Sequence, residues 1–473
     1  MVLTTAEVSQ HNSRRSCWVI IHGSAYDLTD FLDDHPGGAN IILKYAGQDA
    51  TAEFEPCHPE GIIEETLPAE KRLGRVMMDP GKVPVTEERQ DGILEAAKGG
   101  KTPLEACISL YDFEEIAKKT LSGRAWTYYS SAAEDSLSNE LNQQAFRRVL
   151  FRPRVMLNVE RISLTTNILG FESSLPFFIA PAALARLAHP EGERALARGA
   201  GKSKIIQIVS SNASLTPEQI AEARVSADQV LFFQLYVVTE PEKTERLLAR
   251  VKKAGYKGLI VTVDTAVPGK RETDERYKAS LIAGSGEKPK PLGLSYGGWV
   301  TSALSWKDLS WLRQHWDGPI AVKGIMTAED AMIAVQHGVQ AIYLSNHGGR
   351  QLDSSPPAIL TLLEIRRYYP ELIGKVQILL DGGVRRGNDI LKAIALGATA
   401  CGLGRPFLYA LGAHGPEGVL KVVEILRREL EIGLRLLGVN SLAELTPDHV
   451  NTKILDPWVA EPRSLAGRLG AKL

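Results

Sequence analysis

Cysteine is scarce in this chain: four residues in 473, at Cys17, Cys57, Cys107 and Cys401. None forms a CxxC pair, so neither a structural zinc site nor a disulfide framework is expected, and no CxxCH is present to tether a haem covalently. Each is expected to be a buried free thiol. Nowhere does the chain approach the roughly 18 consecutive apolar residues of a membrane span. Excess positive charge is also missing. The 55 basic and 56 acidic residues leave a net charge of −1, which gives no reason to expect nucleic-acid binding. The first twenty residues hold no apolar stretch behind a basic one, so the expected compartment is the cytoplasm.

Length and glycine are plentiful. A chain of 473 residues suits two domains, one of them large. Its 42 glycines suit tight turns close to a ligand. The small net charge hides an asymmetry: residues 1–80 carry 13 acidic and 6 basic residues, and the remainder 43 acidic and 49 basic. An acidic module joined to a basic one suggests electrostatic docking, either within the chain or onto a basic partner. Ordinary surface solvation explains the same counts.

Residues 1–77 read as short alternating elements. A strand at 17–23 ends on a glycine turn, 25–32 is a strand running into a short helix, and short helices follow at 39–47 and 49–58. Within 34-DHPGG-38 a proline and two glycines force a turn after His35, and His58 follows a later helix. Two histidines on such corners can face each other across a flat cofactor, and two axial imidazoles leave iron no open position. Either histidine could also be a capped or surface residue. Residues 78–105, mixed in Gly, Pro and charge, read as a linker or hinge that keeps the first module near the second.

From residue 106 to 473 strands and helices alternate. Apolar strands are expected at 176–182, 204–210, 230–237, 257–264, 319–324, 341–346, 376–383 and 399–405. Near-continuous apolar strands suit parallel pairing with both faces buried. Eight of them favour a (β/α)8 TIM barrel over a doubly wound sheet, and no GxGxxG follows the first strand. Polar residues gather at strand C-termini, where barrels place their chemistry. After strands seven and eight, 381-DGGVRRGND-389 and 402-GLGRP-406 offer glycine amides and arginines suited to a phosphate group.

Two resemblances carry the reading further. The segments 17-CWVIIHGSAYDLTDFLDDHPGG-38, 46-AGQDAT-51 and Phe54 to His58 resemble the cytochrome b5 family, over nearly all of residues 5–77. That implies a small α+β domain holding haem b between His35 and His58. From about 111 to 460 the chain resembles the FMN-dependent 2-hydroxy-acid oxidising family, most specifically in 345-SNHGGRQLD-353. The order of the two parts is similar to the flavocytochrome b2 family, whose members pass electrons from L-lactate to cytochrome c.

The resemblance implies roles for individual residues. Pro181, Ala182, Ala183, Ser210, Gln234, Thr262 and Lys323 would contact the flavin ring of FMN. Asp381 would lie near its ribityl chain, and Gly383, Arg385, Gly404 and Arg405 at its phosphate. Arg350, Arg271 and Tyr128 would hold the substrate carboxylate, and Tyr236 would bond the substrate or its oxidised product. His347 would be the base, Asp264 its orienting partner, and Lys323 would offset charge on the reduced ring. Whether the first proton leaves carbon or oxygen stays open.

Two departures concern the substrate. Many relatives have PTA where Pro181-Ala182-Ala183 stands, and Asn212 occupies a position that is usually aromatic or aliphatic. The expected reaction is L-lactate oxidation. The alternative is an oxidase or dehydrogenase for another L-2-hydroxy acid, such as glycolate or mandelate. The acidic first module suits a basic one-electron carrier such as cytochrome c, with direct reduction of oxygen as the rival route. A presequence already removed would place the chain in the mitochondrial intermembrane space. The family resemblance implies a homotetramer, and the tail 463–473 could wrap a neighbour. A phosphosugar-isomerase barrel would use the same phosphate loops but leave His35 and His58 without a role.

Overall fold

Apolar alternation and turn chemistry build the first module. The computed structural model describes residues 3–77, 102–281, 294–295 and 298–462. Strand β1 (Ser16–Ile21) pairs antiparallel with β2 (Ser24–Asp27), which pairs with β3 (Arg72–Met77). Leu3–Thr4 and Asn12–Ser13 complete a five-stranded sheet as its two edges. One face, with Val19, Ile21, Leu28 and Leu32, packs against α1 (Ala39–Leu43) and α2 (Thr51–Phe54). The helix expected near residue 30 does not form, and residues 29–34 are turns. The Asp27 carboxylate accepts hydrogen bonds from the Thr29 amide (3.0 Å) and hydroxyl (2.5 Å), a local bond that competes with a helix start.

The larger module begins with α3 (Leu110–Thr120), α4 (Gly123–Ser130) and α5 (Leu137–Arg148). Ser109 caps α3 in a capping box with Asp112. Eight strands then close a parallel barrel: β4 (Phe177–Ile179), β5 (Gln207–Ser210), β6 (Leu231–Leu235), β7 (Gly258–Thr262), β8 (Ile320–Ile325), β9 (Ala341–Leu344), β10 (Gln377–Leu380) and β11 (Ala400–Leu403). Seven fall within the expected segments, and β8 runs one residue past the expected end at 324. The helix between β5 and β6 is short, Pro217–Ala221. After β11 comes α6 (Arg405–Leu437), kinked at His414 and Gly415. Of the expected hinge, residues 78–101 lie outside the described residues, as does the tail 463–473. Described residues 104–106 form a 3-10 turn.

Strand periodicity sorts the barrel residues into two interleaved clusters. Phe178, Ile208, Phe232, Ile260, Ala321, Tyr343, Leu379 and Ala400 form the barrel interior. Their neighbours Ile179, Val209, Phe233, Val261, Val322, Leu344, Leu380 and Cys401 belong to the layer between strands and helices. Two residues past the interior set, on the same face, stand Ser210, Gln234, Thr262, Lys323, Ser345, Asp381 and Gly402. The floor of the site is thus the last inward layer of the barrel. At Gly402 a Cβ would lie 2.5 Å from the Tyr343 hydroxyl, so only glycine fits there.

The small module rests on the barrel through polar contacts. Arg186 donates to the Glu55 carbonyl (2.6 Å), Gln219 to Glu60 (2.6 Å) and Arg250 to Glu65 (3.2 Å). Two of these pairs, Arg250–Glu65 and Arg186–Glu55 (3.6 Å between side chains), set acidic residues of the first module against basic ones of the second.

Candidate active site

One cavity of about 1660 Å³ runs from the small module to the barrel mouth. A single small-molecule site spans about 300–1,000 Å³, so this volume suits more than one ligand. Every candidate residue lines it except Asp264, which sits fully buried behind His347 and Lys323.

At the small-module end, the His35 and His58 rings stand with centroids 6.0 Å apart. Two metal–imidazole bonds of about 2 Å plus two ring radii of about 1 Å require roughly that separation. Nδ1 of His35 lies 3.3 Å from the Gly38 carbonyl, and Nδ1 of His58 lies 3.0 Å from that of Phe54. A carbonyl only accepts, so each Nδ1 carries the proton and each Nε2 is the basic ring nitrogen. Burial pushes the His58 imidazole down to about 4 and lowers His35 as well, which keeps both neutral as iron ligands must be.

At the barrel mouth His347 is the pivot. Its Nδ1 lies 2.9 Å from Asp264 Oδ1, and its Nε2 lies 3.4 Å from the Tyr236 hydroxyl. Its amide donates to the Ser345 hydroxyl at 3.0 Å. His347, Gly348 and Gly349 all have left-handed backbone, with φ of +57°, +64° and +76°. A Cβ at Gly349 would come within 2.5 Å of the Asn139 amide nitrogen. Histidine alone of the three bears backbone strain there, of about 1–3 kcal/mol, a pattern typical of functional positions. Burial lowers the His347 pKa and Asp264 opposes that fall. Burial pushes the Asp264 carboxyl up, but the charges of His347 and Lys323 outweigh it and hold the group at about 2. Gly324, at a register shift in β8, gives Asp264 its room, since a Cβ would lie 2.7 Å from that of Asp264.

Lys323 is buried between two carboxylates, with Nζ 4.0 Å from Asp264 and 3.8 Å from Asp381, and it donates to Ser345 Oγ at 3.1 Å. Asp381 accepts from Ser345 (2.5 Å) and Tyr343 (2.9 Å). Arg350 uses Nη1 to grip the carbonyls of Tyr128 (2.7 Å) and Ser131 (3.1 Å) and stacks over the Tyr128 ring. Burial and then Arg271 press its pKa down to about 9, so it stays cationic at neutral pH. Arg271 lines the same wall. These groups form a basic, partly aromatic pocket above His347, suited to a carboxylate.

Of the eight buried side-chain polar atoms without a hydrogen-bond partner among the described residues, four belong to this site: Gln234 Nε2, Thr262 Oγ1, Asp264 Oδ2 and Arg385 Nη1. Natively buried polar atoms are rarely left so. Gln234 and Thr262 belong to the expected flavin floor, and Arg385 to the expected phosphate end, so the set fits a bound flavin nucleotide. Ser210 is different: its hydroxyl is already bonded to Gln234 Oε1 at 3.1 Å. Pro181, Ala182 and Ala183 form the apolar wall beyond β4. Gly383, at φ +83°, backs onto the Asn142 carbonyl, which a Cβ would approach to 2.3 Å. Gly404 is the N-cap of α6 and lines the cavity at the expected phosphate end.

Arg405 departs from a simple phosphate contact. It donates to the carbonyls of Tyr129 (2.9 Å), Ser131 (3.0 Å) and Gly348 (2.9 Å) and to Asn139 (3.1 Å). Four of its five N–H donors thus clamp α4, α5 and the His347 loop together. Sequence reasoning also missed four supports. Ser345 ties Lys323, Asp381 and His347 together, and inward strand parity points to it. Asn142 and Asn346 exchange amide bonds at 2.9 Å. Glu114 pairs with Arg385 at 3.1 Å. Gln351 donates to the Asp264 carbonyl at 2.9 Å. The Asn142 and Glu114 partners are distant in sequence and leave no local signal.

Comparison with known proteins agrees with this geometry. Residues 117–452 match the model of the FMN-dependent dehydrogenases, and residues 4–77 that of the cytochrome b5-like haem/steroid binding domain. An L-lactate dehydrogenase (cytochrome) of Wickerhamomyces anomalus is 41% identical over 95% of this chain and 80% of its own length. A glycolate oxidase of Spinacia oleracea is 41% identical over 72% of this chain and 94% of its own. Among solved structures, a flavocytochrome b2 double mutant with pyruvate bound superposes with a TM-score of 0.73. It is 40% identical and covers 80% of this chain and 95% of its own.

Proposed function

Because the chain belongs to the FMN-dependent dehydrogenase family, with a cytochrome b5-like haem domain ahead of its barrel, we propose that it passes the electrons of an L-2-hydroxy acid through FMN and haem b to an external cytochrome c. FMN-dependent oxidation of an L-2-hydroxy acid, with electrons moving toward a haem acceptor, is the activity of this family and domain order. The observation that carries the finer reading is the single cavity joining the His35–His58 pair to His347. Bound FMN supplies a two-electron acceptor, and haem b a one-electron exit.

The residues then divide the work. Arg350, Arg271 and Tyr128 fix the substrate carboxylate and so orient the reacting carbon. His347 Nε2 takes the substrate proton, while Asp264 holds Nδ1–H and stabilises the imidazolium that forms. Tyr236 remains protonated, because burial raises its pKa far above neutrality, and can donate to the substrate oxygen. Lys323 offsets negative charge gathering at the flavin floor. Arg385, Gly383 and the Gly404 end of α6 hold the phosphate, with Arg405 bracing that corner. Residues 1–77 make up the haem domain and 106–473 the FMN domain, joined by 78–105.

L-lactate is the first acid to test, since a relative with the same two-part order is an L-lactate dehydrogenase. A second reading has its own observation: Asn212 puts a polar amide on the cavity wall. That favours an acid whose side chain differs from lactate's methyl, so the broader L-2-hydroxy-acid class is our substrate reading. A cytochrome c acceptor suits the intermembrane space better than the cytoplasm. No helix among the described residues is long and apolar enough to cross a membrane. The homotetramer rests on family resemblance and is checked by light scattering.

The test is spectroscopic. Purified protein should show flavin and b-type haem bands. Anaerobic L-lactate, glycolate or L-mandelate should bleach the flavin first and reduce the haem second. Failure of all three to reduce the haem would sink the reading. Peroxide formation faster than cytochrome c reduction would make the protein an oxidase.

A further inference from the structure

One cation at the joint between the two cofactor pockets has no role in either. Arg124 lies on α4, one helical turn before Tyr128, and lines the shared cavity. Its Nη2 donates to Cys57 Sγ at 3.0 Å. Cys57 is buried and directly precedes His58. The contact therefore ties the segment carrying one haem-facing histidine to the helix whose C-terminal carbonyls receive Arg350.

A thiol is a weak acceptor, a poor reason in itself to hold a guanidinium there. Nearby cations are matched: Lys278 with Asp274, and Arg186 with Glu55. Among the described residues no ion pair involves Arg124, so its positive charge acts on the cavity. On the docking side, Arg186 already supplies a part-buried contact and Gln219 and Arg250 exposed ones, which are individually weak. Arg124 is the contact beside His58.

We propose that Arg124 is the positioning residue for electron passage from flavin to haem, its fixed charge favouring arrival at the haem while its side chain holds the His58 segment on α4. This rests on the flavin-to-haem reading above. Each transfer moves one electron. The reduced flavin loses it, ferric haem gains it, no bond forms or breaks, and the haem site becomes one unit more negative. A positive charge at the joint lowers the energy of that added charge. Its removal is worth roughly tenfold in the haem's reduction equilibrium, which is about 59 mV for a one-electron couple.

The experiment uses the full-length holoenzyme with Arg124→Gln, Arg124→Lys and Cys57→Ala. Haem content, haem midpoint potential and the rates of flavin and haem reduction are read separately. The flavin is reduced by L-lactate or, if that acid is silent, by photoreduction with EDTA. Arg124→Gln should keep haem content and the flavin reduction rate, shift the midpoint negative and slow haem reduction roughly tenfold. Arg124→Lys should keep the midpoint near the parent value. Cys57→Ala, which leaves the charge, should not move the midpoint. An unchanged midpoint in Arg124→Gln, or the same drop in Cys57→Ala, overturns the proposal. So does equal slowing in Gln and Lys variants without a midpoint shift. Absence of haem, or of haem reduction, in the parent protein would instead overturn the underlying function.

Discussion

Replacing Asp264 by Asn keeps the volume and removes one charge from the centre of the site. In the native site the carboxylate receives His347 Nδ1–H at 2.9 Å and a bond from Thr265 Oγ1 at 2.9 Å, and it faces Lys323 at 4.0 Å. When His347 takes the substrate proton, the bond from neutral imidazole to the Asp264 carboxylate becomes an ion pair, and only then does the full attraction appear. A buried charge-assisted bond is worth about 1.5–3 kcal/mol. Loss of that amount from the transition state lowers kcat by about 10- to 100-fold. An amide that turns its NH2 toward Nδ1 would invert the imidazole tautomer and deepen the loss. KM should move less, because Arg350, Arg271 and Tyr128 are untouched. The assay is anaerobic stopped-flow bleaching of the flavin over a range of substrate concentrations, with C2-deuterated acid to identify the chemical step. Flavin reduction in Asp264→Asn within about threefold of the parent rate would refute the assignment of His347 and Asp264 as a base pair.

Other contacts of the site carry further outcomes. Burial holds the His347 pKa below the ordinary 6.5, so the base stays unprotonated at neutrality and kcat/KM should fall only as pH drops below that range. Asp264→Asn, which removes the group opposing that fall, should move this acid limb lower still. Asp264 itself is depressed from 3.8 to about 2. Its contribution to stability is therefore present above pH 3.8 and is lost as pH falls through about 2, so the stability gap between parent and Asp264→Asn should close in acid melts. His58→Ala should abolish the b-type haem spectrum and cytochrome c reduction yet leave substrate-driven flavin bleaching intact; retention of the haem band would displace His58 as a ligand. Gly349→Ala adds a Cβ within 2.5 Å of the Asn139 amide at φ +76° and should cost at least about 2 kcal/mol in chemical denaturation. Asn212→Leu should favour acids with aliphatic side chains in relative kcat/KM; an unchanged ranking would remove Asn212 from the specificity pocket.

Much of the site was legible because strand periodicity is local. Ser210, Gln234, Thr262, Lys323 and Asp381 each stand two residues beyond an inward barrel residue, and that spacing is written in the chain. The same parity marks Ser345, which motif reading passed over in favour of His347 and Arg350. The short helix expected near residue 30 failed because Asp27 and Thr29 form a side-chain turn, a competition that apolar patterning does not register.

Sequence by itself determined the two modules, the parallel barrel and the types of residue at its rim, because apolar period, turn residues and motif spacing act over a few positions. Tertiary structure decided how those residues are used. Arg405, expected at a phosphate, spends most of its donors clamping α4 and α5 to the His347 loop, since chain closure brings carbonyls from residues 129, 131 and 348 around one guanidinium. Arg385 keeps an unmatched N–H at the expected phosphate end while Glu114, far away in sequence, holds its other side. Arg124 meets Cys57 across a boundary that no local pattern crosses. Electrostatics and hydrogen bonding depend on distance in space, and only folding sets that distance.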